Sequence, residues 1–213
     1  MDIGLTPNYY QKNGYNCEKK IKYYFFYKRF FLNSLVILGS NSFIGRAFLN
    51  NIGSNVLVKA VAREIPKDID KNAKGVEWIK VDIINTSSLI KIFSKDDIVI
   101  NLIYARDNNR NTNLSLINNI IEACIFSKVS RLIHCSTAVV VGDIKINHVN
   151  ELSPCNPVTP YEITKLALEK RVLSASLRGL DIGILRPTAI VGCDGKNLLK
   201  LANSLIHGNQ FSN

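Results

Sequence analysis

Tyr161 and Lys165 are the side chains in this sequence whose types and spacing best fit acid–base chemistry. Thr159 and Glu162 have capping-box spacing and Pro160 suits a first helical turn, so a helix is predicted to begin just before Tyr161. On that helix Tyr161 and Lys165, at positions i and i+4, lie on one face. An ammonium beside a phenol favours the phenolate and lowers the phenol pKa from about 10. Such a tyrosine can exchange a proton with an alcohol while hydride passes to or from a nicotinamide.

A glycine-rich turn supplies a candidate phosphate site. A run of β-forming residues, 35–38, ends at Gly39, and a helix begins close to Gly45. This turn points backbone N–H groups and the positive end of a helix dipole at a phosphate, as in the dinucleotide-binding fingerprint. Ser42 stands at the middle glycine position, where its side chain is predicted to crowd a pyrophosphate. The predicted cofactor loop comprises Gly39, Ser42, Phe43, Ile44 and Gly45.

Apolar strands alternate with helices from residue 34 onward. The predicted strands cover 35–38, 56–61, 76–81, 98–103, 131–135 and 182–185, and the predicted helices include 87–93, 113–127, 161–177 and 198–207. This alternation predicts an α/β fold with a doubly wound, mostly parallel, Rossmann-like sheet. The glycine turn follows the first strand, which is where such a sheet binds a dinucleotide.

The residues after the second strand bear on the choice between NAD and NADP. An acid that accepts a hydrogen bond from the ribose 2′-OH is expected about 20 residues after the glycine turn. No carboxylate appears there until Glu64, whereas Lys59 or Arg63 could pair with a 2′-phosphate. Both cations could equally be ordinary surface residues. The sequence therefore favours NADP over NAD.

Several segments together, in order and spacing, resemble the extended short-chain dehydrogenase/reductase family, in its NAD(P)-dependent epimerase/dehydratase branch. The resemblance covers about residues 35–195. The matching segments are the Gly39…Gly45 loop, Asp82-Ile83, Asn113 with 119–123, Ser136-Thr137 with Gly142, Tyr161 with Lys165, and 185–187 with Gly192.

The resemblance implies roles for individual residues. Tyr161 would be the catalytic acid/base, and Thr137 matches the family's catalytic hydroxyl. Lys165 would hold the nicotinamide ribose and lower the tyrosine pKa. Asp82, followed by Ile83, would contact the adenine, and the backbone near Pro187 would meet the nicotinamide carboxamide.

Asn113 matches an asparagine of the family's active-site framework, and a helix N-cap is the other interpretation of this residue. Family members that dehydrate sugars carry Asp-Glu directly after the catalytic threonine, and this chain has Ala138-Val139. Epimerase or ketosugar-reductase chemistry on a nucleotide-sugar therefore fits better. The small pair usual after the fourth strand is Ile103-Tyr104 here. The competing interpretation is a non-catalytic NAD(P)-binding Rossmann protein or an inactive fragment.

The chain divides into three predicted segments. Residues 1–33 form an aromatic and basic extension, 34–195 form the NAD(P)-binding domain, and 196–213 begin a substrate domain that is largely missing. The extension lacks the clean apolar run and cleavage site of a secretory signal. A membrane-surface anchor is an alternative for it.

Composition narrows the remaining classes of function. The net charge is +10, but the basic residues are scattered, so nucleic acid is not a predicted partner. The five cysteines, without a Cys-x-x-Cys pair, predict a reduced, cytoplasmic protein. The histidines lack metal-ligand spacing, so no metal site is predicted, and no stretch approaches the roughly 20 apolar residues of a membrane span. By resemblance, the helices at 113–127 and 161–177 would pair two copies into a homodimer.

Overall fold

The structure is a computed structural model that describes residues 34–53, 55–69, 75–105, 107, 109–143, 145, 148–192, 203, 204 and 206. The predicted extension over 1–33 lies outside these residues. So do most of the predicted C-terminal segment over 196–213 and most of the helix predicted over 198–207.

A six-stranded, all-parallel sheet forms the centre of the fold, in the order β3-β2-β1-β4-β5-β6. Its strands are β1 (Leu35–Leu38), β2 (Val58–Ala62), β3 (Val76–Lys80), β4 (Ile98–Asn101), β5 (Arg131–Cys135) and β6 (Asp181–Leu185). The predicted doubly wound, Rossmann-like sheet is confirmed. The strand order reverses between β1 and β4, and in such sheets ligands bind outside the carboxyl ends of the strands at this point.

Four helices connect the strands: α1 (Phe43–Asn51), α2 (Thr86–Ile90), α3 (Arg110–Phe126) and α4 (Pro160–Ser174). Short 3₁₀ turns cover Ala138–Val141 and Ala175–Arg178. Each helix begins after a side chain that accepts a hydrogen bond from a backbone N–H of the first turn: Ser42, Asn85, Asn109 and Thr159. The capping box between Thr159 and Glu162 is present, so the predicted start of α4 is confirmed.

The main core lies between the sheet and helices α2, α3 and α4. Its fully buried side chains include Val36, Leu38, Val99, Leu132, Leu89, Ile120 and Leu168. Crossovers between parallel strands are right-handed as a rule, and the β1–β2 connection runs along the sheet in the opposite direction to the β4–β5 and β5–β6 connections, so α1 belongs on the opposite face of the sheet. Both faces are therefore covered, which explains the nearly continuous apolar sequence of the strands.

Element ends differ from the predicted ones where side chains bond to the backbone. The fourth strand ends at Asn101 rather than at residue 103, because Asn101 Oδ1 accepts a hydrogen bond from Ile103 N at 3.0 Å. Helix α4 ends at Ser174 and continues as a 3₁₀ turn up to Gly179, whose φ of 86° suits glycine. Within the described part of the chain, no helix is both long and apolar enough to cross a bilayer.

Candidate active site

The glycine turn after β1 packs too closely for side chains at its two ends. Gly39 has a φ of 87°, a region that favours glycine. A Cβ atom added to Gly45 would lie 2.6 Å from the Gly39 carbonyl oxygen and 2.7 Å from that of Ser40. Helix α1 therefore starts directly against the turn, as close packing of the fingerprint requires.

Ser42 is the N-cap of α1. Its φ of −78° is unstrained for serine, and its Oγ accepts a hydrogen bond from Gly45 N at 3.1 Å. Phe43 and Ile44 are the first two residues of α1. Their backbone N–H groups have no carbonyl partner within the helix, as is general for the first turn of a helix. Together with the helix dipole they form a cradle that fits a pyrophosphate.

The residues predicted to contact adenosine lie at the carboxyl ends of β2 and β3. Arg63 follows β2, Asp82 follows β3, and both side chains are exposed. The Asp82 carboxylate accepts a hydrogen bond from Ile84 N at 3.2 Å, and Ile83 is buried. These positions neighbour the glycine turn, because Gly39 N and Ser40 N donate to the Val61 carbonyl of β2 at 3.1 and 3.0 Å.

Lys59 is the wrong candidate for a 2′-phosphate. Its Nζ donates to the buried Asp97 carboxylate at 3.0 Å and to the Ile92 carbonyl at 2.9 Å. Asp97 immediately precedes β4, so this ion pair lies at the opposite, amino edge of the sheet. Arg63 alone stays available for the NADP prediction.

Thr137 and Tyr161 are brought together at the carboxyl edge. Thr137 follows β5, Tyr161 is in the first turn of α4, and the Thr137 side chain is close enough to the phenol to lower its pKa. Tyr161 remains 38% exposed, so a substrate can reach its hydroxyl. Burial raises the pKa of Tyr161, and nearby Tyr104 and Cys135 raise it further, while Thr137 acts in the opposite direction.

Lys165 lies one turn after Tyr161 but faces the interior. It is 5% exposed, its Nζ donates to the Cys135 carbonyl at 3.1 Å, and it lies 4.7 Å from the centre of the Tyr104 ring. Burial lowers the lysine pKa. In this structure the ammonium bonds to a carbonyl and burial raises the phenol pKa, so a lowering of the Tyr161 pKa by Lys165 stays a prediction.

Tyr104 contacts both members of the Tyr161–Lys165 pair, which the sequence did not predict. The rings of Tyr104 and Tyr161 meet edge to face with centroids 5.3 Å apart. The buried Tyr104 hydroxyl makes no hydrogen bond of normal geometry, although Thr164 is close enough to lower its pKa slightly against the effect of burial. The sequence does hold a signal for this contact: Tyr104 is a large residue three positions after the end of β4, at the edge where such sheets bind ligands.

Asn113 supports the loop that carries Tyr104. Its Oδ1 accepts a hydrogen bond from Ala105 N, and its Nδ2 donates to the Asn109 carbonyl, both at 2.8 Å. Asn109 is the N-cap of α3, so the interpretation of Asn113 as an N-cap is wrong. The buried amide fixes the backbone next to Tyr104 instead.

The segment after β6 contacts both the backbone beside Thr137 and the start of α1. The Pro187 carbonyl accepts a hydrogen bond from Ala138 N at 2.8 Å, directly beside Thr137. Further along, a Cβ atom added to Gly192 would lie 2.9 Å from Cζ of Phe43, so this segment also reaches the start of α1. The glycine turn and the Thr137–Tyr161 pair thus both adjoin the segment after β6 at the carboxyl edge of the sheet. The described residues contain no cluster of three or more His, Cys, Asp or Glu side chains that could hold a metal.

Two curated proteins are similar in sequence to this chain. Sterol demethylase protein B of Methylococcus capsulatus is 42% identical over 67 residues, which cover 30% of this chain and 20% of that protein. Short-chain dehydrogenase/reductase family 42E member 1 of Macaca fascicularis is 29% identical over 194 residues, which cover 78% of this chain and 48% of that protein. The chain thus spans at most about half the length of these curated relatives.

A solved structure gives the same fold. UDP-glucuronic acid 4-epimerase from Bacillus cereus, in complex with NAD, superposes with a TM-score of 0.68 at 22% identity, over 82% of this chain and 64% of that one. The sequence model of the NAD dependent epimerase/dehydratase family matches residues 35–208. The match extends over most of the sequence, and the chain therefore belongs to the NAD-dependent epimerase/dehydratase family.

Proposed function

We propose that this chain carries the cofactor-binding half of an oxidoreductase or epimerase in which Tyr161 is the acid/base. Thr137 and Tyr161 meet at the sheet edge that also holds the glycine turn, close enough that the threonine lowers the phenol pKa, and this proximity is the observation that carries the proposal. A phenol in that place can give a proton to, or take one from, an alcohol oxygen.

The residues at the carboxyl edge of the sheet fit a nicotinamide dinucleotide. The first N–H groups of α1, at Phe43 and Ile44, would hold the pyrophosphate, with Asp82 on the adenosine side. When bound, the nicotinamide supplies a donor and acceptor of hydride. Thr137 orients the reacting oxygen towards the Tyr161 hydroxyl, and Lys165 provides positive charge behind it.

We favour NADP because Arg63 follows β2 at the position where a 2′-phosphate would be read. Glu64, the next residue, has its carbonyl bonded by Asn41 Nδ2 at 3.2 Å, so the backbone here is tied to the glycine turn. Comparing NADPH with NADH in the same titration tests this preference directly.

Nucleotide-sugars are the proposed substrate class. The matched solved structures include a UDP-N-acetylglucosamine 4-epimerase from Bacillus cereus, and Ala138-Val139 lacks the acid and base of a sugar dehydratase. Reversible oxidation of a sugar hydroxyl, followed by reduction in the same or the opposite sense, would need a bound nicotinamide to accept and return the hydride and Tyr161 to take and return the proton.

A sterol alcohol is the second candidate substrate. Sterol demethylase protein B shares 42% identity over a 67-residue stretch, a higher identity than the sugar-binding structures show. The exposed side chains near Thr137 and Tyr161 are also apolar, with Val139 48% and Ile163 40% exposed. Parallel assays with UDP-glucose and with a hydroxysterol, each with both oxidised cofactors, separate the two classes.

The experiment that tests the proposal joins binding to turnover. Titration with NADPH and NADH should enhance and blue-shift nicotinamide fluorescence, and a chain that binds neither is not this enzyme. Tyr161→Phe should lower turnover by about 10²–10⁴-fold while cofactor affinity stays nearly unchanged, because only the proton-transferring oxygen is removed.

Thr137→Ser is the matched conservative variant, since it retains the hydroxyl and should keep most of the activity. Thr137→Val should lose most of it. If Tyr161→Phe retains full activity, the acid/base assignment is wrong. Cofactor binding without turnover on any substrate would favour the non-catalytic interpretation.

A further inference from the structure

Glu169 is a buried carboxylate on the same helix face as Tyr161 and Lys165. Its side chain is 1% exposed and forms a two-pronged ion pair with Arg186. The Arg186 Nε donates to Oε1 at 3.0 Å, and Nη2 donates to Oε2 at 2.7 Å. Buried pairs of this kind are costly to desolvate and are often replaceable by apolar side chains, so their location needs a reason beyond stability.

Arg186 lies in a part of the chain that is bonded to both sides of Thr137. Its neighbour Leu185 accepts a hydrogen bond from Ser136 N at 2.7 Å, and Pro187 accepts one from Ala138 N at 2.8 Å. Holding Arg186 therefore holds the backbone around Thr137. Because Glu169 belongs to α4, the ion pair links that backbone to the helix that carries Tyr161.

Glu169 also supplies the negative charge beside Lys165. The titratable groups that face Lys165 are Cys135 and His134 from β5, Tyr104 from the loop after β4, and Glu169 and Tyr161 from α4. Burial raises the pKa of Cys135 and of both phenols and lowers that of His134 to about 3, so these four are neutral near pH 7. Burial lowers the pKa of Lys165, and Cys135 and then Glu169 raise it; because the Cys135 thiol is neutral near pH 7, Glu169 supplies the negative charge there.

We infer that the ion pair between buried Glu169 and partly exposed Arg186 positions the Thr137, Tyr161 and Lys165 site. It sets the separation between the Thr137 backbone and α4, and its Glu169 carboxylate places negative charge one helical turn after Lys165. This inference rests on the proposed function.

The first experiment compares Glu169→Gln with Glu122→Gln. Glu122 is the matched control, since it forms a two-pronged pair with Arg178 on the surface, where both side chains are about half exposed. Glu169→Gln should lower kcat by about 10- to 100-fold, since small displacements of reacting groups have effects of this size. Glu122→Gln should leave kcat and cofactor affinity as in wild type.

The pH dependence of NADPH binding is the readout that a purely structural role would not move. Affinity should fall at high pH as Lys165 loses its proton, and in Glu169→Gln that fall should begin at a lower pH. Measured by fluorescence titration, this shift does not depend on turnover. An unchanged pH profile in a folded Glu169→Gln protein would overturn the role assigned to the charge.

The double variant Glu169→Leu with Arg186→Met keeps the test decisive if the single variant does not fold. An apolar pair of similar volume should restore the midpoint of thermal unfolding towards wild type, while kcat and the pH profile of binding stay impaired. Recovery of all three would show that the pair is structural only. If the wild-type chain binds neither NADPH nor NADH, the proposed function fails first, and that result is distinct from either outcome above.

Discussion

The two edges of the parallel sheet differ in whether their buried polar groups are hydrogen-bonded. At the amino edge Asp97 is fully buried, and its carboxylate accepts hydrogen bonds from Lys59 Nζ at 3.0 Å, Ser34 Oγ at 3.0 Å and Ser94 N at 2.8 Å. At the carboxyl edge the Tyr104 hydroxyl, the His134 Nε2 and the Ser136 hydroxyl are buried without a partner. Buried polar atoms are nearly always paired in folded proteins, so the second edge departs from the general rule.

His134 shows how the carboxyl edge comes to hold an unpaired group. Asn101 Oδ1 accepts from Ile103 N, so Asn101 Nδ2 faces His134 Nδ1 at 3.0 Å and donates to it. The neutral ring must then carry its proton on Nε2, which has no acceptor. The amino edge is arranged for stability, whereas the carboxyl edge, where α/β sheets bind ligands, leaves polar groups unsatisfied.

The largest effect on stability is expected at the amino edge. Asp97→Ala leaves the Lys59 ammonium, whose side chain is 19% exposed, without its partner. This change should lower the free energy of unfolding by about 3–5 kcal/mol. The NADPH affinity of the molecules that remain folded should not change, because the sheet separates Asp97 from the glycine turn. Urea unfolding and fluorescence titration measure the two quantities.

His134→Phe is the matched change at the carboxyl edge. It removes one hydrogen bond but also one buried unpaired donor, so the expected loss of unfolding free energy is only about 1 kcal/mol. Equal losses for Asp97→Ala and His134→Phe would remove the contrast between the two edges.

The raised pKa of Tyr161 predicts a pH dependence at the carboxyl edge. Oxidation of an alcohol uses the phenolate as base, and a pKa raised by burial leaves little phenolate at neutral pH. The oxidation rate should therefore increase by about tenfold per pH unit below that pKa. A pH series of kcat in the oxidative direction measures it. A plateau reached below pH 8 would show that Lys165 turns towards the phenol when cofactor binds.

Local signals in the sequence predicted the fold well because they do not depend on distant residues. The capping box of Thr159 and Glu162 marked the start of α4, and the apolar runs marked all six strands. The side-chain partners of Lys59 and Lys165 could not be read in the same way. Each bonds to groups about 30 residues or more away along the chain, which only the folded sheet brings near.

The Glu169–Arg186 pair lies between these two cases. Arg186 lies within one of the segments that resemble the family, and Glu169 lies four residues after another, but the sequence predicts no functional role for either residue. Glu169 continues the helix face of Tyr161 and Lys165 by one more turn. Helix periodicity alone is therefore enough to place this carboxylate on the face that carries Tyr161 and Lys165.

Ser42 is the site of the smallest predicted effect, and it is where sequence and structure give different reasons. The sequence predicts crowding of the pyrophosphate, whereas the structure shows an unstrained N-cap whose Oγ accepts from Gly45 N at 3.1 Å. Ser42→Gly should cost only a few tenths of a kcal/mol in unfolding free energy. It also frees the Gly45 N–H and removes the side chain, so NADPH affinity should improve by about twofold.

Ser42→Ala separates the two causes, because it removes the hydroxyl but keeps the Cβ atom. If the freed Gly45 N–H is the cause, both variants bind NADPH more tightly in the fluorescence titration. If bulk is the cause, only Ser42→Gly does. Weaker binding by both variants would contradict crowding altogether, since it would mean that the bond from Gly45 N to Ser42 Oγ holds the first turn of α1 in the orientation that receives the phosphate.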